Sequence, residues 1–332
     1  MRIAVDAMGG DEAPSVVVEG ALRALERAPI EVQILLFGPE EDVQRELDAQ
    51  DRAAGQPIQV VDAPEVIGMG EAPGTAVKKK QRSSIHRGLG AVKEKQADAF
   101  VSAGNTGAIM AVSLFILGRV PGVERPTIIG YFPTFEGSCL VTDIGSNVDC
   151  KPEHLVQFAQ MSSIYARHVF ENDDPTVALL NIGEEPGKGN EQAKATYELL
   201  QDTPDIHFRG NIEGGDIFTH AADIVICDGF VGNVLLKFGE SVTTVLPRLA
   251  QQEMQRQGLA AKEQQMVGRV LKGVKKGFDP EERGGAPLLG VNGHVLVGHG
   301  RSTARAIQQL ILSAADTASK DVVSPMVSTF AA

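Results

Sequence analysis

Short runs of apolar and β-branched residues alternate along the chain with longer stretches in which apolar positions recur every three or four residues. The first kind predicts buried strands at Arg2–Asp6, Val32–Phe37, Ile58–Asp62, Asp98–Ser102, Thr127–Tyr131, Cys139–Asp143, Thr176–Ile182 and Ile224–Asp228. The second predicts amphipathic helices at Pro14–Arg27, Glu40–Ala49, Ile85–Glu94, Asn105–Leu117, Pro152–Phe170, Asn190–Leu200 and Ser302–Ser319. Strands that are apolar throughout are buried on both faces, and the intervening helices supply the cover. The expectation is an α/β fold in which a mainly parallel sheet lies between two helical layers. Ligands of such folds bind at loops on the carboxyl ends of the strands.

The rhythm breaks once, between residues 240 and 283, where no strand candidate occurs and Gln, Lys and Arg accumulate. Ser241–Gln257 and Ala260–Lys276 read as two helices around Gly258, a helical hairpin inserted in one continuous catalytic unit over residues 1–332. Met266, Val267, Val270, Leu271 and Val274 form one apolar stripe on the second helix, accompanied by Lys262, Arg269, Lys272, Lys275 and Lys276. The stripe either packs on Val242, Val245, Leu246 and Leu249 of the first helix or across a dimer, or it meets a membrane surface.

Asp and Glu outnumber Lys and Arg by 43 to 31, a net charge of -12 that argues against a general nucleic-acid binder. A locally basic pocket for an anion remains compatible with it. The longest strongly apolar stretch, Ala108–Leu117, falls far short of the ~20 residues of a membrane span. The N-terminus reaches Asp6 before a signal-like apolar region forms. Cys139, Cys150 and Cys227 lie far apart with no CxxC pair, which reads as reduced thiols in a cytosol.

The sharpest chemical feature is Ser102-Ala103-Gly104-Asn105-Thr106-Gly107-Ala108, a strand end opening into an apolar helix. Free N–H groups and the positive dipole end make a helix N-terminus an anion site. Gly104 and Gly107 admit close approach, while Asn105 and Thr106 add side-chain donors; the alternative is a simple helix cap. Similar edges recur at Asp6, Gly9 and Gly10, at Asp143 and Asn147, and at Asp228 and Asn233. Another carries Lys188 between two glycines just before Asn190. Gathered at one sheet edge, these loops would make a composite polar site with Lys188 as its best placed cation. His299 either lines that site, caps a helix or packs in the core. No HExxH or Cys/His cluster suggests a metal, and no GxSxG elbow suggests a triad hydrolase. Cys150 lacks a marked His partner and reads as packing rather than nucleophile.

In this order the loops resemble the bacterial phosphate acyltransferase (PlsX) family, the acyl-carrier-protein:phosphate acyltransferases. The matching segments are VDAMGGD at Val5–Asp11, SAGNTGA at Ser102–Ala108, NVDCKPEHL at Asn147–Leu155 and NIGEEPGKGNE at Asn181–Glu191. They continue with DGFVGNVLLK at Asp228–Lys237 and GGAPLLGV at Gly284–Val291, so that only the hairpin lies outside. The resemblance implies a homodimeric cytosolic enzyme with a three-layer α/β/α sandwich, related to phosphotransacetylases and isocitrate-dehydrogenase-like folds. It implies transfer of a long acyl chain from acyl carrier protein to inorganic phosphate, without a cofactor. The acyl phosphate then serves a membrane glycerol-3-phosphate acyltransferase in phospholipid synthesis, and peripheral membrane contact goes with that role. On this reading Lys188, Asn105, Thr106 and His299 are catalytic. Asp6, Gly9, Gly10, Ser102, Gly104, Gly107, Asp143, Asn147, Asn190, Asp228 and Asn233 line the phosphate and substrate site. The alternatives are a short-chain phosphate acetyl- or butyryltransferase using coenzyme A, an NAD-dependent decarboxylating dehydrogenase on the same fold, and a non-enzymatic membrane-docking protein.

Overall fold

The computed structural model describes residues 1–277 and 284–331. Its first stretch runs β1 (Arg2–Asp6), α1 (Ser15–Arg27), β2 (Gln33–Gly38), α2 (Glu40–Asp48), β3 (Ile58–Asp62), α3 (Pro73–Lys79), α4 (Ser84–Lys93), β4 (Ala99–Ser102) and α5 (Thr106–Ile116). Next come β5 (Thr127–Thr134), β6 (Gly137–Thr142), α6 (Pro152–Val169), β7 (Thr176–Leu180), α7 (Glu191–Asp202), β8 (His207–Ile212) and β9 (Ile224–Ile226). The chain finishes with α8 (Gly229–Arg256), α9 (Ala261–Gly277), β10 (Ala286–Leu289), β11 (His294–Val297), α10 (Ala304–Ser319) and α11 (Val323–Phe330). Local chemistry sets many of the helix starts. Ser83, Asn105, Asn190, Asp228 and Thr303 each accept a hydrogen bond from the backbone N–H three residues on.

All eleven strands join one sheet in the order β3-β2-β1-β4-β11-β10-β5-β6-β9-β7-β8. Seven of its pairings are parallel; the three antiparallel ones, β11/β10, β10/β5 and β5/β6, lie together in the middle. Period-two alternation divides the core between the two faces. Ile3 and Val5 pack with Leu22 of α1 and Ile311 of α10, while Ala4 and Phe100 pack on the other side with Leu89 of α4 and Ile109 of α5. In the second half, Leu140, Val177 and Ile224 meet Phe158 and Tyr165 of α6, while Val141, Ala178 and Val225 face Leu235 and Leu236 of α8. This is the three-layer α/β/α sandwich the pattern predicts.

Five elements escape the sequence pattern: α3, β8, β10, β11 and α11. β10 and β11 are four residues each, shorter than a periodicity can register, and β8 is an edge strand whose first residues alternate in exposure. The hairpin also differs from expectation. Its first helix starts at Gly229 rather than Ser241, runs for 28 residues and carries Pro247 inside it. Gly232 and Gly239 obscure the helical period there. The hairpin therefore grows directly out of the Asp228 cap, with Asn233 early in its first helix. Val267 and Leu271 of α9 are half-buried, but Met266, Val270, Val274 and their expected partners Val245, Leu246 and Leu249 are exposed. Val242 is half-buried as well, so packing on the first helix covers only part of the stripe; packing across a dimer stays an expectation. Residues 278–283 of the expected insertion lie outside the described residues.

Candidate active site

The first loop group sits where β1, β4 and β11 end. Asp6 is buried; its Oδ2 accepts a 2.6 Å hydrogen bond from Ser102 Oγ and its Oδ1 one from the Met8 N–H at 3.1 Å. Ser102 Oγ in turn accepts from the Gly104 N–H at 3.0 Å. Gly9 lies against this triad so closely that a Cβ would stand 2.7 Å from Asp6 Oδ2 and 2.8 Å from both Gly104 N and Ser102 Oγ. The β11 loop closes the group: the Asp11 N–H donates to Gly300 O, Gly300 adjoins Gly10, and the Gly298 N–H donates to Ser102 O. Burial pushes the Asp6 carboxyl up, opposed by hydrogen bonds from Ser102, Ser84 and the Met8 N–H. With its folded value above the unfolded one, Asp6 holds its proton longer when folded, so its contribution to stability falls as pH rises through that window.

Asn105 is tied on all sides. Its Oδ1 caps α5 through the Ala108 N–H at 3.0 Å, and its Nδ2 donates to the carbonyls of Gly68, Met69 and Glu71 at 3.3, 3.0 and 2.8 Å. The carboxamide expected to supply an anion donor is committed to holding the loop before α3. The first-turn N–H groups of Thr106 and Gly107 have no helical acceptor, and the exposed Thr106 hydroxyl lies beside them. Pro73, the first residue of α3, abuts Gly107. Nothing in the periodicity pointed to the Gly68–Glu71 loop, because its contribution is backbone carbonyls. His299 is exposed, and its Nδ1 accepts from the Arg301 N–H at 3.1 Å.

The second group follows β6 and β9. Asp143 is fully buried, and its two oxygens accept from the N–H groups of Ile128, Gly145, Ser146 and Asn147, from Ser146 Oγ and from Asn147 Nδ2. A carboxylate so occupied stitches loops together and has little lone-pair capacity left for a substrate. Asn147 Nδ2 also reaches Pro126 O at 2.8 Å. Asp228 caps α8 through the Val231 N–H at 2.8 Å, and the exposed Asn233 lies over Gly145.

The loop after β7 adjoins that group, since β7 neighbours β9 and Gln192 Nε2 donates to Cys150 O. Asn190 caps α7 through the Ala193 N–H. The Lys188 Nζ is half-exposed, 3.7 Å from Glu185 Oε2, while its backbone carbonyl accepts from Asn181 Nδ2 at 3.2 Å. The fold thus uses the lysine's main chain, while its ammonium makes only a long, half-exposed pair with Glu185.

The expected single composite edge resolves into two groups. Asp6, Gly9, Gly10, Ser102, Gly104, Asn105, Thr106, Gly107 and His299 belong to strands running one way. Asp143, Asn147, Lys188, Asn190, Asp228 and Asn233 follow strands running the other way. Six ladder steps separate β1 from β9. A cavity of about 730 Å³ lies elsewhere, between α4 and the β2–β3 face, floored by Leu35, Phe37 and Val61 with Arg87 and Glu94 at its rim. None of the candidate residues lines it, and it lacks the clustered N–H donors of the loops. Among the described residues no three His, Cys, Asp or Glu side chains gather as a metal site, and no helix is long and apolar enough to cross a membrane.

The cysteines are poor nucleophiles. Burial pushes both Cys139 and Cys150 up to about 12, and Cys227 rises well above its ordinary value for the same reason. A thiol near 12 is thiolate only about once in 10⁵ at neutral pH. Cys150→Ala is therefore expected to retain turnover within about threefold, with no thiol-type rise in rate from about pH 7 to 10. An acyl-Cys150 adduct that forms and decays as fast as turnover would overthrow direct attack.

The architecture is a three-layer α/β/α fold of the kind seen in phosphotransacetylases. A phosphotransacetylase from Streptococcus pyogenes superposes with a TM-score of 0.65 at 20% identity, covering 97% of this chain and 94% of its own. A 4-hydroxythreonine-4-phosphate dehydrogenase from Salmonella typhimurium, described as putative, has a TM-score of 0.55 at 13% identity over 94% and 99% of the two chains. These likenesses concern the fold alone. The particular family follows from sequence: residues 1–325 match the model described as "Fatty acid synthesis protein". The phosphate acyltransferase of Salinibacter ruber is 63% identical over 99% of this chain and 97% of its own, and that of Chlorobaculum parvum 50% identical over 95% and 94%. The chain belongs to this phosphate acyltransferase family and is an acyltransferase.

Proposed function

We propose that the enzyme transfers a long-chain fatty acyl group from acyl carrier protein to inorganic phosphate, making an acyl phosphate for phospholipid synthesis. Phosphate is largely dianionic near neutral pH and needs little general-base help. One of its oxygens bonds to the thioester carbon, a tetrahedral oxyanion forms, and the carbon–sulfur bond breaks to release the carrier thiolate. The protein's tasks are placement and charge stabilisation. Backbone N–H groups of Thr106 and Gly107, with the Thr106 hydroxyl, seat the phosphate, and Lys188 Nζ opposes the developing negative charge. Asn233 and His299, both exposed, serve as further donors. The observation that supports this reading is that the Thr106 and Gly107 N–H groups have no helical acceptor and Lys188 Nζ has only a long, half-exposed pair with Glu185, while Asn105 and Asp143 are saturated by the fold. Incubation with long-chain acyl carrier protein and labelled phosphate should yield labelled acyl phosphate. Turnover confined to short-chain coenzyme A thioesters would assign a phosphotransacetylase instead, and turnover of no thioester would overturn the reading.

The working form is a cytoplasmic homodimer that touches the membrane peripherally, close to the membrane acyltransferase that takes its product. Two exposed apolar rows support this. Phe230, Val234 and Phe238 on α8 suit a second copy, and Met266, Val270 and Val274 on α9, flanked by Lys262, Arg269 and Lys272, suit an anionic bilayer. Each basic residue near such a surface adds roughly 1 kcal/mol. Replacing Met266, Val270 and Val274 together by Ser should weaken binding to anionic vesicles about tenfold or more, with acyl transfer in solution largely intact. Unchanged flotation with vesicles would remove α9 as the anchor, and loss of the dimer in sedimentation would assign the stripe to assembly.

A further inference from the structure

Against a chain charge of -12, residues 72–95 carry seven Lys and Arg and one Glu. They form α3, the turn after it, and α4. The acidic groups facing this segment are Asp62, Glu65 and Glu71, and each is engaged. Lys80 Nζ bonds Glu71 Oε2 at 2.5 Å and Val66 O at 2.6 Å, and so holds the loop that Asn105 grips from the other side. The guanidiniums of Arg82 and Arg87 each lie 4.0 Å from Asp62 Oδ2, and the Arg82 N–H donates to Glu65. Lys78 and Lys79 are exposed and make no ion pair among the described residues. α3 is seven residues, about 10 Å long. Its first residue touches Gly107 at the start of α5, so both lysines stand about one short helix from the N–H groups that seat phosphate.

We infer that the α3–α4 face, centred on Lys78 and Lys79, is the docking surface for an acidic helical carrier that delivers its acyl thioester on a tethered arm. The inference rests on the carrier-borne donor proposed above and adds where that donor binds. Charge complementarity is the argument: a basic patch in an otherwise acidic surface concentrates an anionic partner beside the site. The patch is offset from the reacting groups, as a donor whose thioester is carried on a flexible arm requires. Rim charges of this sort govern encounter, so they set the donor's KM and its salt dependence rather than the chemical step.

The test is K78E/K79E, with K78A/K79A as a milder companion, assayed with acyl carrier protein thioester and with a small acyl-pantetheine thioester. The charge reversal should raise KM for the carrier thioester roughly tenfold at low salt, with kcat and KM for phosphate unchanged. The alanine pair should fall between it and wild type, the small thioester should be used equally by all three proteins, and the difference should close at about 0.5 M salt. An unchanged carrier KM overturns the inference, as does an equal loss with the small thioester. So does loss of anionic-vesicle binding with carrier KM intact, which would assign the patch to lipid. A wild type inactive toward the carrier thioester would overturn the proposed function itself, and the docking inference with it.

Discussion

Lys188→Met should lower phosphate-dependent acyl transfer by roughly 10²–10³-fold while leaving thermal unfolding close to wild type. Methionine keeps the unbranched stem that packs by Gly183 and removes only the ammonium. The structural duties of this position belong to its backbone, whose N–H donates to Glu185 O and whose carbonyl accepts from Asn181. The ion pair lost with Glu185 is long and half-exposed, so it contributes little to stability. A cation aimed at charge that develops during reaction acts mainly on kcat, which makes the split between kcat and KM informative. Near-normal turnover would return Lys188 to the solvent.

Gly232→Ala should be the most destabilising of the substitutions considered. A Cβ there would stand 1.9 Å from Asp143 O and 3.0 Å from Cys227 Sγ. Asp143 cannot retreat, because its carboxylate is fixed by several donors and its backbone N–H is bonded to Cys227 O. Either α8 shifts away from the sheet or the Asp143 loop breaks, at a cost of about 3 kcal/mol or more. Gly239, in the same helix, faces open space. Gly239→Ala should therefore stabilise by about 0.5–1 kcal/mol through helix propensity. Circular-dichroism melts of the two variants decide it: opposite signs are expected, and equal melting temperatures would refute the close-approach argument.

Much of the fold was legible in the sequence because its signals are local. Val5, Ile34 and Val101 stand in apolar runs long enough to mark buried strands, and Asn105, Asn190 and Asp228 cap helices through groups three residues away. The family itself was legible in the order of the glycine-rich loops. The candidate residues were found as types but not as partners. Asp6 meets Ser102 from 96 positions away, and Asn105 is held by carbonyls 34 to 37 positions earlier. No pattern in the sequence reports that these side chains are already taken.

The sequence by itself determined where most strands and helices lie, which of their faces are apolar, and which loops carry donors and a cation, since all of these depend on neighbours within a few residues. Tertiary structure alone decided the rest. β10 and β11 are too short to announce themselves, yet with β5 they reverse the sheet's direction and split the loops into two groups. Packing left Met266, Val270 and Val274 uncovered, although their spacing suited burial equally well. Long-range hydrogen bonds tied up the side chains of Asn105 and Asp143, while Lys188 Nζ kept only a long pair with Glu185. Burial and hydrogen-bond satisfaction depend on groups brought together from distant parts of the chain, and that information exists only once the chain has folded.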